Sequence, residues 1–512
     1  MKKLLFIPFL AFQLNSIAQA TITWQQTYGG SGGGISYAHI LTADGGRVFA
    51  GNSSIESNGG SDFWIFKTND GGDIIWEKKY GGSEDDGAYN LKQTADGGYI
   101  IVGNTYSDDG DVIGFHGPLA NSDVWVLKLD PAGNLEWQKT LGGQSFDDGR
   151  SVIQTSDGGY IIAASSNSID GDPIENKGHE DFWIIKLSAS GSILWNKVYG
   201  GSKSDRAFTI EEANDGGFMI GGYAYSNDGD VSFNHGNPED HPDGWVIKLD
   251  NNGVFEWEKS YGSTSYERIT CIKKTTDGGY IMAVEAGASD GDVTSPIQGQ
   301  TDAWLVKIDP DGVIQWQNTY GGTEIDYGTH VIQTQDLGYL FAVNTFSTDG
   351  DALTSNGQVE GLVIKTSNTG ELQWKKTLGG SQEDYTNCAS QLPDGNYLIT
   401  GGTGSSDGDI NVVNDGYNAW AVKLVPENLT SNDFTINNPV SIYPNPCSDI
   451  LNLKYDTLFS VTEIVLCDVT GKVITQQSDN LNSIDTTHLE NGIYFVNLLS
   501  NTTEYKLKFI KN

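Results

Sequence analysis

The chain is poor in cysteine, in basic residues and in long apolar runs, and each shortage excludes something. Four Cys in 512 residues are too few for a disulfide framework. Cys271 and Cys388 each stand six residues before a recurring turn aspartate, in what read as the first strands of the fifth and seventh repeats, too far apart to bond. Cys447 and Cys467 share the C-terminal segment, where a bond or two buried thiols would fit. Neither the Cys nor the seven His have zinc-site spacing. His235 and His241 share a loop with Asp240 and Asp243 and read as exposed loop residues.

Lys and Arg number 30 against 67 Asp and Glu, a formal charge of −37. That charge repels nucleic acid and anionic lipid; it suits cations or neutral sugars, or serves solubility alone. No stretch after the N-terminus approaches the ~20 apolar residues of a membrane helix, so no transmembrane segment is expected. There is no Gly-x-Ser-x-Gly elbow, phosphate loop or dinucleotide fingerprint. A glycosidase needs two carboxyls roughly 5–9 Å apart, and among so many acids sequence nominates no pair.

What is present is order. Lys2 and Lys3, the apolar run Leu4 to Phe12 and Ala18-Gln19-Ala20 form an export signal over residues 1–20. Gly is abundant at 65, yet 13 Trp, 23 Tyr and 19 Phe can fill cores, which separates the chain from a disordered linker.

The string Asp157-Gly158-Gly159-Tyr160-Ile161-Ile162 recurs at Asp96 and Asp277, with looser copies at Asp44, Asp215, Asp336 and Asp394, at steps of 52, 61, 58, 62, 59 and 58. Seven copies near 58 residues mark a repeat architecture. In one unit, Ala88 to Thr94 reads as a strand, Ala95 to Gly98 as a hairpin turn and Tyr99 to Gly103 as a second strand buried on both faces. A long loop leads to a third strand, Asp123 to Leu129, and a turn to a fourth, Leu135 to Leu141. Four antiparallel strands per unit give β-propeller blades. Trp recurs on the fourth strand (76, 137, 195, 257, 316, 374) and the third (64, 125, 183, 245, 304, 420), with Leu362 in the sixth repeat; both series read as packing between blades. Trp24 to Gly30 copies the fourth-strand motif before any first strand, and the last repeat lacks a fourth strand. The N-terminal strand is therefore expected to complete the last of seven blades, over residues 21–424.

Six long loops carry Asp-Gly-Asp: Asp109 and Asp111, Asp170 and Asp172, Asp228 and Asp230, Asp290 and Asp292, Asp349 and Asp351, Asp407 and Asp409. Asp123, Asp181, Asp243 and Asp302 stand just before the third-strand Trp. Clustered carboxylates beside glycine suit calcium, but Asp-Gly is also an ordinary turn pair whose carboxylate caps backbone N–H groups. Both readings remain open.

Residues 425–438 read as a linker and 439–512 as a small all-β sandwich. Its motifs are Ser441-Ile442-Tyr443-Pro444-Asn445-Pro446, the Asp468-Val469-Thr470-Gly471-Lys472 turn, Asn491-Gly492-Ile493-Tyr494 and the terminal Lys-Phe-Ile-Lys. In this order the segment resembles the type A sorting domains of Bacteroidota type IX secretion. The resemblance implies an Ig-like tail, recognition by the secretion machinery, and a mature protein released or held at the surface of a Gram-negative cell. The repeats also resemble Asp-Gly-Gly-Tyr propellers found on such cargo, which specifies no activity. The expected role is a monomeric, adhesin-like binding or scaffold module for a glycan or protein. The alternative is a carbohydrate-active surface enzyme, which a mouth with convergent acids and aromatics would favour over a uniform channel.

Overall fold

A computed structural model describes residues 20–30, 33–57, 59–237, 240–352, 358–411, 416–426, 440–443, 445–455, 461–468, 472–500 and 504–511. The chain divides into two compact units, 1–427 and 428–512. The stretch read as an export signal lies, apart from Ala20, outside the described residues, as does 427–438 of the linker reading; Val425 and Pro426, read as the start of that linker, belong instead to the strand Asn418–Pro426, where they pair with Thr21 and Ala20.

The first unit is a seven-bladed β-propeller. Each blade is a four-stranded antiparallel sheet, with strands A to D running outward. Blade 1 comprises Ile35–Leu41, Arg47–Ser53, Asp62–Thr68 and Ile74–Tyr80; blade 2 comprises Asp86–Gln93, Tyr99–Thr105, Asp123–Leu129 and Leu135–Leu141. The A strands of blades 3 to 6 are Asp147–Gln154, Asp205–Glu212, Glu267–Lys274 and Asp326–Gln333. Blade 7 takes Asp384–Gln391, Tyr397–Thr403 and Asn418–Pro426 from one end of the chain and Ala20–Tyr28 from the other. That closing strand pairs from Ala20 opposite Pro426 to Tyr28 opposite Ala419. Each A strand packs on the next, and that of blade 7 on that of blade 1, so the ring closes around a central channel.

Packing follows the pattern of side chains. B strands such as Tyr99–Thr105 and C strands such as Asp123–Leu129 are buried throughout, because neighbouring blades cover both faces. The C-strand Trp spans the joint: Trp125 meets Phe63 of the previous blade edge-on at 4.6 Å, and Trp245 meets Phe182 likewise. The D-strand Trp76 faces Tyr99 of the next blade at 5.8 Å. It also lies against Gly133, whose φ of 80° and closeness to the indole both demand glycine.

The repeated turn aspartate has a structural task. Asp157 accepts from the Gly159 N–H and pairs with Lys186, a C-strand lysine buried at this position. Lys67, Lys128, Lys248, Lys307, Lys365 and Lys423 make the same pair with the turn aspartates of their own blades. Four joints add an amide clasp: Gln93, Gln154, Gln333 and Gln391 accept a backbone N–H from the preceding blade's turn. Between blades 7 and 1 the corresponding residues are Leu41 and Pro393, which has no N–H, and a cavity of about 390 Å³ opens there.

Two boundaries differ from the sequence reading. A strands begin earlier, at Asp86 rather than Ala88, because the acid at the head is buried and accepts the Gly82 N–H at 2.8 Å. B strands run on to Thr105. The second unit packs a sheet of Val440–Tyr443, Ile450–Tyr455 and Ser483–Asp485 against one of Val473–Gln477, Val461–Asp468, Gly492–Ser500 and Glu504–Lys511. Val440–Tyr443, Val473–Gln477 and Ser483–Asp485 are strands that the sequence reading did not anticipate, being short or polar. All four Cys are free and buried, so Cys447 and Cys467 are thiols.

Candidate functional site

Every A strand is bulged, at its third residue in blade 1 and its fourth in the other six, which re-aims one side chain. The bulged residues are Tyr37, Tyr89, Arg150, Phe208, Thr270, Thr329 and Asn387. Two residues earlier stand Ile35, Gly87, Asp148, Arg206, Arg268, Tyr327 and Tyr385. Turns and joints repeat from blade to blade; these two columns do not.

Their side chains meet in a partial ring. Tyr37 and Tyr89 lie 5.2 Å apart, and the Arg150 guanidinium sits 4.2 Å over Tyr89. Arg150, Arg206 and Arg268 all converge on Phe208, at 5.8, 6.0 and 5.8 Å from its ring centre. Arg268 reaches Tyr327 at 5.7 Å, and Tyr385 meets Tyr417 at 6.3 Å. Phe146, in the turn before the blade 3 A strand, is exposed beside them.

Carboxylates hold the cations. Asp148, almost fully buried, accepts from Asn104 on one oxygen and from Arg150 and Arg206 on the other. Burial pushes its carboxyl up, but the two guanidiniums outweigh that and hold it below the usual range. Glu180 lies 3.1 Å from Arg206 and Glu285 3.0 Å from Arg268; burial raises both carboxyls. Tyr89, Tyr106, Phe146, Asp148, Glu180 and Arg206 help line a cavity of about 350 Å³. This is the mouth of convergent acids and aromatics, not a uniform channel.

The Asp-Gly-Asp loops lie at the blade joints. The first aspartates, Asp109, Asp170, Asp228, Asp290, Asp349 and Asp407, each accept a backbone N–H from the D-to-A turn, at 2.7 to 2.9 Å. Asp111, Asp172, Asp230, Asp292 and Asp351 accept from the turn glycine. Asp409 pairs with Lys376. Among the described residues no group of three or more His, Cys, Asp or Glu is placed to hold a metal ion.

Beneath these loops the acids pair. Asp123, Asp181, Asp243 and Asp302 each flank a turn glycine with the acid heading the next blade's A strand. A Cβ on Gly142, for instance, would lie within 3.0 Å of oxygens of both Asp123 and Asp147. Oδ1 of all four C-strand acids is buried without a hydrogen-bond partner. Burial lifts Asp147, Asp181 and Glu267 to about 7, and Asp205 and Asp302 to about 6. His235 is a correction: its ring is bonded to Asp243 at 2.6 Å and lies mostly buried. A histidine in a loop looks exposed until the acid it latches onto is seen.

In the second unit Tyr443 is exposed, and Asn445 accepts the Ile510 N–H at 2.9 Å. Asp468 accepts from Lys472, and Tyr494 stacks on Phe509 at 5.7 Å while its hydroxyl donates to Glu490. Gly492 opens its strand opposite Lys511. Pro444 and Gly471 lie outside the described residues; Pro446 follows Asn445 through a cis bond. The motifs thus gather around the last strand.

Residues 441–512 match the family of secretion system C-terminal sorting domains. The tail is a type IX sorting signal, and it marks the chain for export to the cell surface or beyond. The sorting domain covers only the end of the chain, and no curated protein matches the sequence. Among solved structures, the chain is similar to BBS1N bound to ARL6DN: 10% identity, 80% of this chain and 98% of that one, TM-score 0.41. An α-L-arabinofuranosidase of Fusarium graminearum, in complex with arabinobiose, gives 13%, 78% and 98%, TM-score 0.41. PorZ, a surface component of the type IX secretion system of Porphyromonas gingivalis, gives 11%, 95% and 60%, TM-score 0.32. Among the described residues no helix is long and apolar enough to cross a membrane.

Sequence reasoning missed the mouth. Its signal lies in the columns seven and nine residues before each turn aspartate, where neighbouring columns repeat and these vary.

Proposed function

We propose that this chain is a secreted or cell-surface binding protein whose propeller, residues 21–424, seats a glycan on the channel mouth. The observation that carries the reading is that the A-strand bulges bring Tyr37, Tyr89, Arg150 and Phe208, with Arg206, Arg268 and Tyr327 two residues before a bulge, into contact at one opening. Partly exposed Tyr and Phe faces suit the apolar faces of sugar rings, and the interleaved guanidiniums and carboxylates suit their hydroxyls. The cavity of about 350 Å³ is at the small end of ligand pockets, of about 300–1,000 Å³, and fits the end of a saccharide.

Cleavage is the second reading, favoured by Glu180 and Asp148 facing one another across Arg206 with carboxyls pushed in opposite directions. Binding is preferred because both Asp148 oxygens are already taken, one by Asn104 and the other by Arg150 and Arg206, which leaves this carboxylate no free oxygen for attack or proton transfer.

A glycan array probed with the exported protein and with Tyr89→Ala and Tyr327→Ala tests the proposal. Binding that both variants weaken supports it. Binding untouched by either, or none on the array, overturns it. New reducing ends in the same incubations, lost in Glu180→Gln, would shift the reading to the enzyme.

A further inference from the structure

The whole chain contains four arginines: Arg47, Arg150, Arg206 and Arg268. Three of the four stand on consecutive blades at the mouth, each within 6.0 Å of the Phe208 ring centre. Everywhere else the protein makes its cationic contacts almost entirely with lysine, including all seven pairs to the turn aspartates. If the mouth needed only positive charge, lysine would serve there too. A guanidinium differs in presenting a planar fork of N–H donors that matches a carboxylate edge to edge.

The donors at the mouth are not used up. Nε of Arg206 and Nε of Arg268 are buried and have no hydrogen-bond partner. Glu180 approaches the former at 3.1 Å, but out of hydrogen-bonding alignment. A buried donor left without an acceptor is costly, on the order of 1–3 kcal/mol, and both side chains stay partly exposed, at 30% and 29%, so the rest of each remains open to a ligand oxygen. Asp148 fixes Arg150 and Arg206 in place from beneath, so the fork is positioned before any ligand arrives.

We propose that the mouth recognises an acidic sugar, a uronate whose carboxylate is taken by Arg206 and Arg268 while its ring stacks on the aromatic faces beside Phe208. The inference rests on the glycan reading above and narrows it. It departs from what net charge alone implies, because a charge of −37 disfavours polyanions at long range, whereas at the mouth three guanidiniums balance Asp148, Glu180 and Glu285 within a Debye length of about 8–10 Å. The ligand is accordingly a short oligosaccharide with isolated carboxylates, not a dense polyanion.

The test is calorimetric titration of the full chain with trigalacturonate, a glucuronate trisaccharide and the methyl ester of each. Esterification removes the charge and keeps the sugar. An acid form binding at least about tenfold more tightly than its ester is expected, with the gap closing as salt rises. Arg268→Gln and Arg206→Gln should each abolish that gap, lowering affinity for the acid form far more than for the ester, and Arg268→Lys, which keeps charge and fold, should restore only part of it. Equal affinity for acid and ester overturns the inference, as does a gap that survives both Gln variants. If neutral saccharides on the array bind in a Tyr89-dependent way while no acid form is preferred, the uronate inference fails and the glycan reading stands. If nothing binds, both fail.

Discussion

Replacing Asp123 with Asn should make the propeller more stable at pH 8 and barely change it at pH 5. Asp123 Oδ1 is buried without a partner beside Asp147, which itself accepts from Gly143 N–H, Ser166 and Ser168. Burial lifts the Asp147 carboxyl to about 7 from an ordinary value of 3.8, the Asp123 charge beside it adds a smaller push, and the pair keeps a proton. A carboxyl raised on folding contributes stability that is fully present below the unfolded value, near pH 4, and is lost as pH rises through 7. At 1.36 kcal/mol per unit, the shift of about three units sets a ceiling of about 4 kcal/mol, lost at about 1.4 kcal/mol per pH unit in between. An Asn amide at 123 mimics the protonated acid: its NH2 donates toward Asp147 while its oxygen still accepts the His116 N–H. The chain already uses this solution, since Asn418 heads the C strand of blade 7. Burial, the larger cause, persists in the variant, so only about a quarter of the ceiling, about 1 kcal/mol, should be recovered at pH 8. Guanidinium midpoints at pH 5 and pH 8, at one ionic strength, give the answer. A variant that loses as much stability as the parent between those pH values would refute the shared proton.

Other expectations follow from single features. Leu337 occupies the glycine position of its turn with φ of 66°, so Leu337→Gly should raise the midpoint of thermal unfolding, worth about 1 kcal/mol; no gain would mean the turn relaxes around leucine. Removing Ala20–Tyr28 exposes the edge of Asn418–Pro426 and should yield a protein that aggregates, read by light scattering; a soluble monomer would count against strand closure as the guard of that edge. Because the Asp-Gly-Asp carboxylates are occupied by backbone N–H donors, EDTA should leave Tm within about 1 °C of the untreated protein, and a larger fall would restore the calcium reading. Arg47, buried against Asp70 and the Asn69 and Asp70 carbonyls, should cost about 2–4 kcal/mol as Arg47→Ala, seen in the denaturant midpoint.

The fold was legible because its signals are local and sevenfold. Glycine at positive φ in the hairpins, indoles at fixed offsets and the orphan Trp24 strand each report backbone geometry or packing that the residue type alone demands. What sequence could not show is direction. Asp123, read as a neighbour of a loop, is buried at a joint, because a C strand brings its first residue under the next blade's turn. Tyr89 and Arg150 read as ordinary strand residues, since a one-residue bulge flips a side chain without any marker in composition. His235 needed Asp243 in space. The lysine at the end of each Trp-containing strand repeats as faithfully as the aspartate it pairs with, yet in sequence the two lie about thirty positions apart.

The joint between blades 7 and 1 sets the order in which the molecule can be made. Gly30 bonds to Asn418 across 388 positions of chain, whereas every other strand of the propeller meets a partner one hairpin or long loop away. Loop-closure entropy alone makes that meeting about 3 kcal/mol dearer than closing a ten-residue turn. The stretch synthesised first is thus held in waiting until nearly the whole propeller exists, and a chain cut short anywhere before Asn418 has no place to put it. Completion is checked by the fold itself: the strand Ala20–Tyr28 is the latch that only a finished ring can receive.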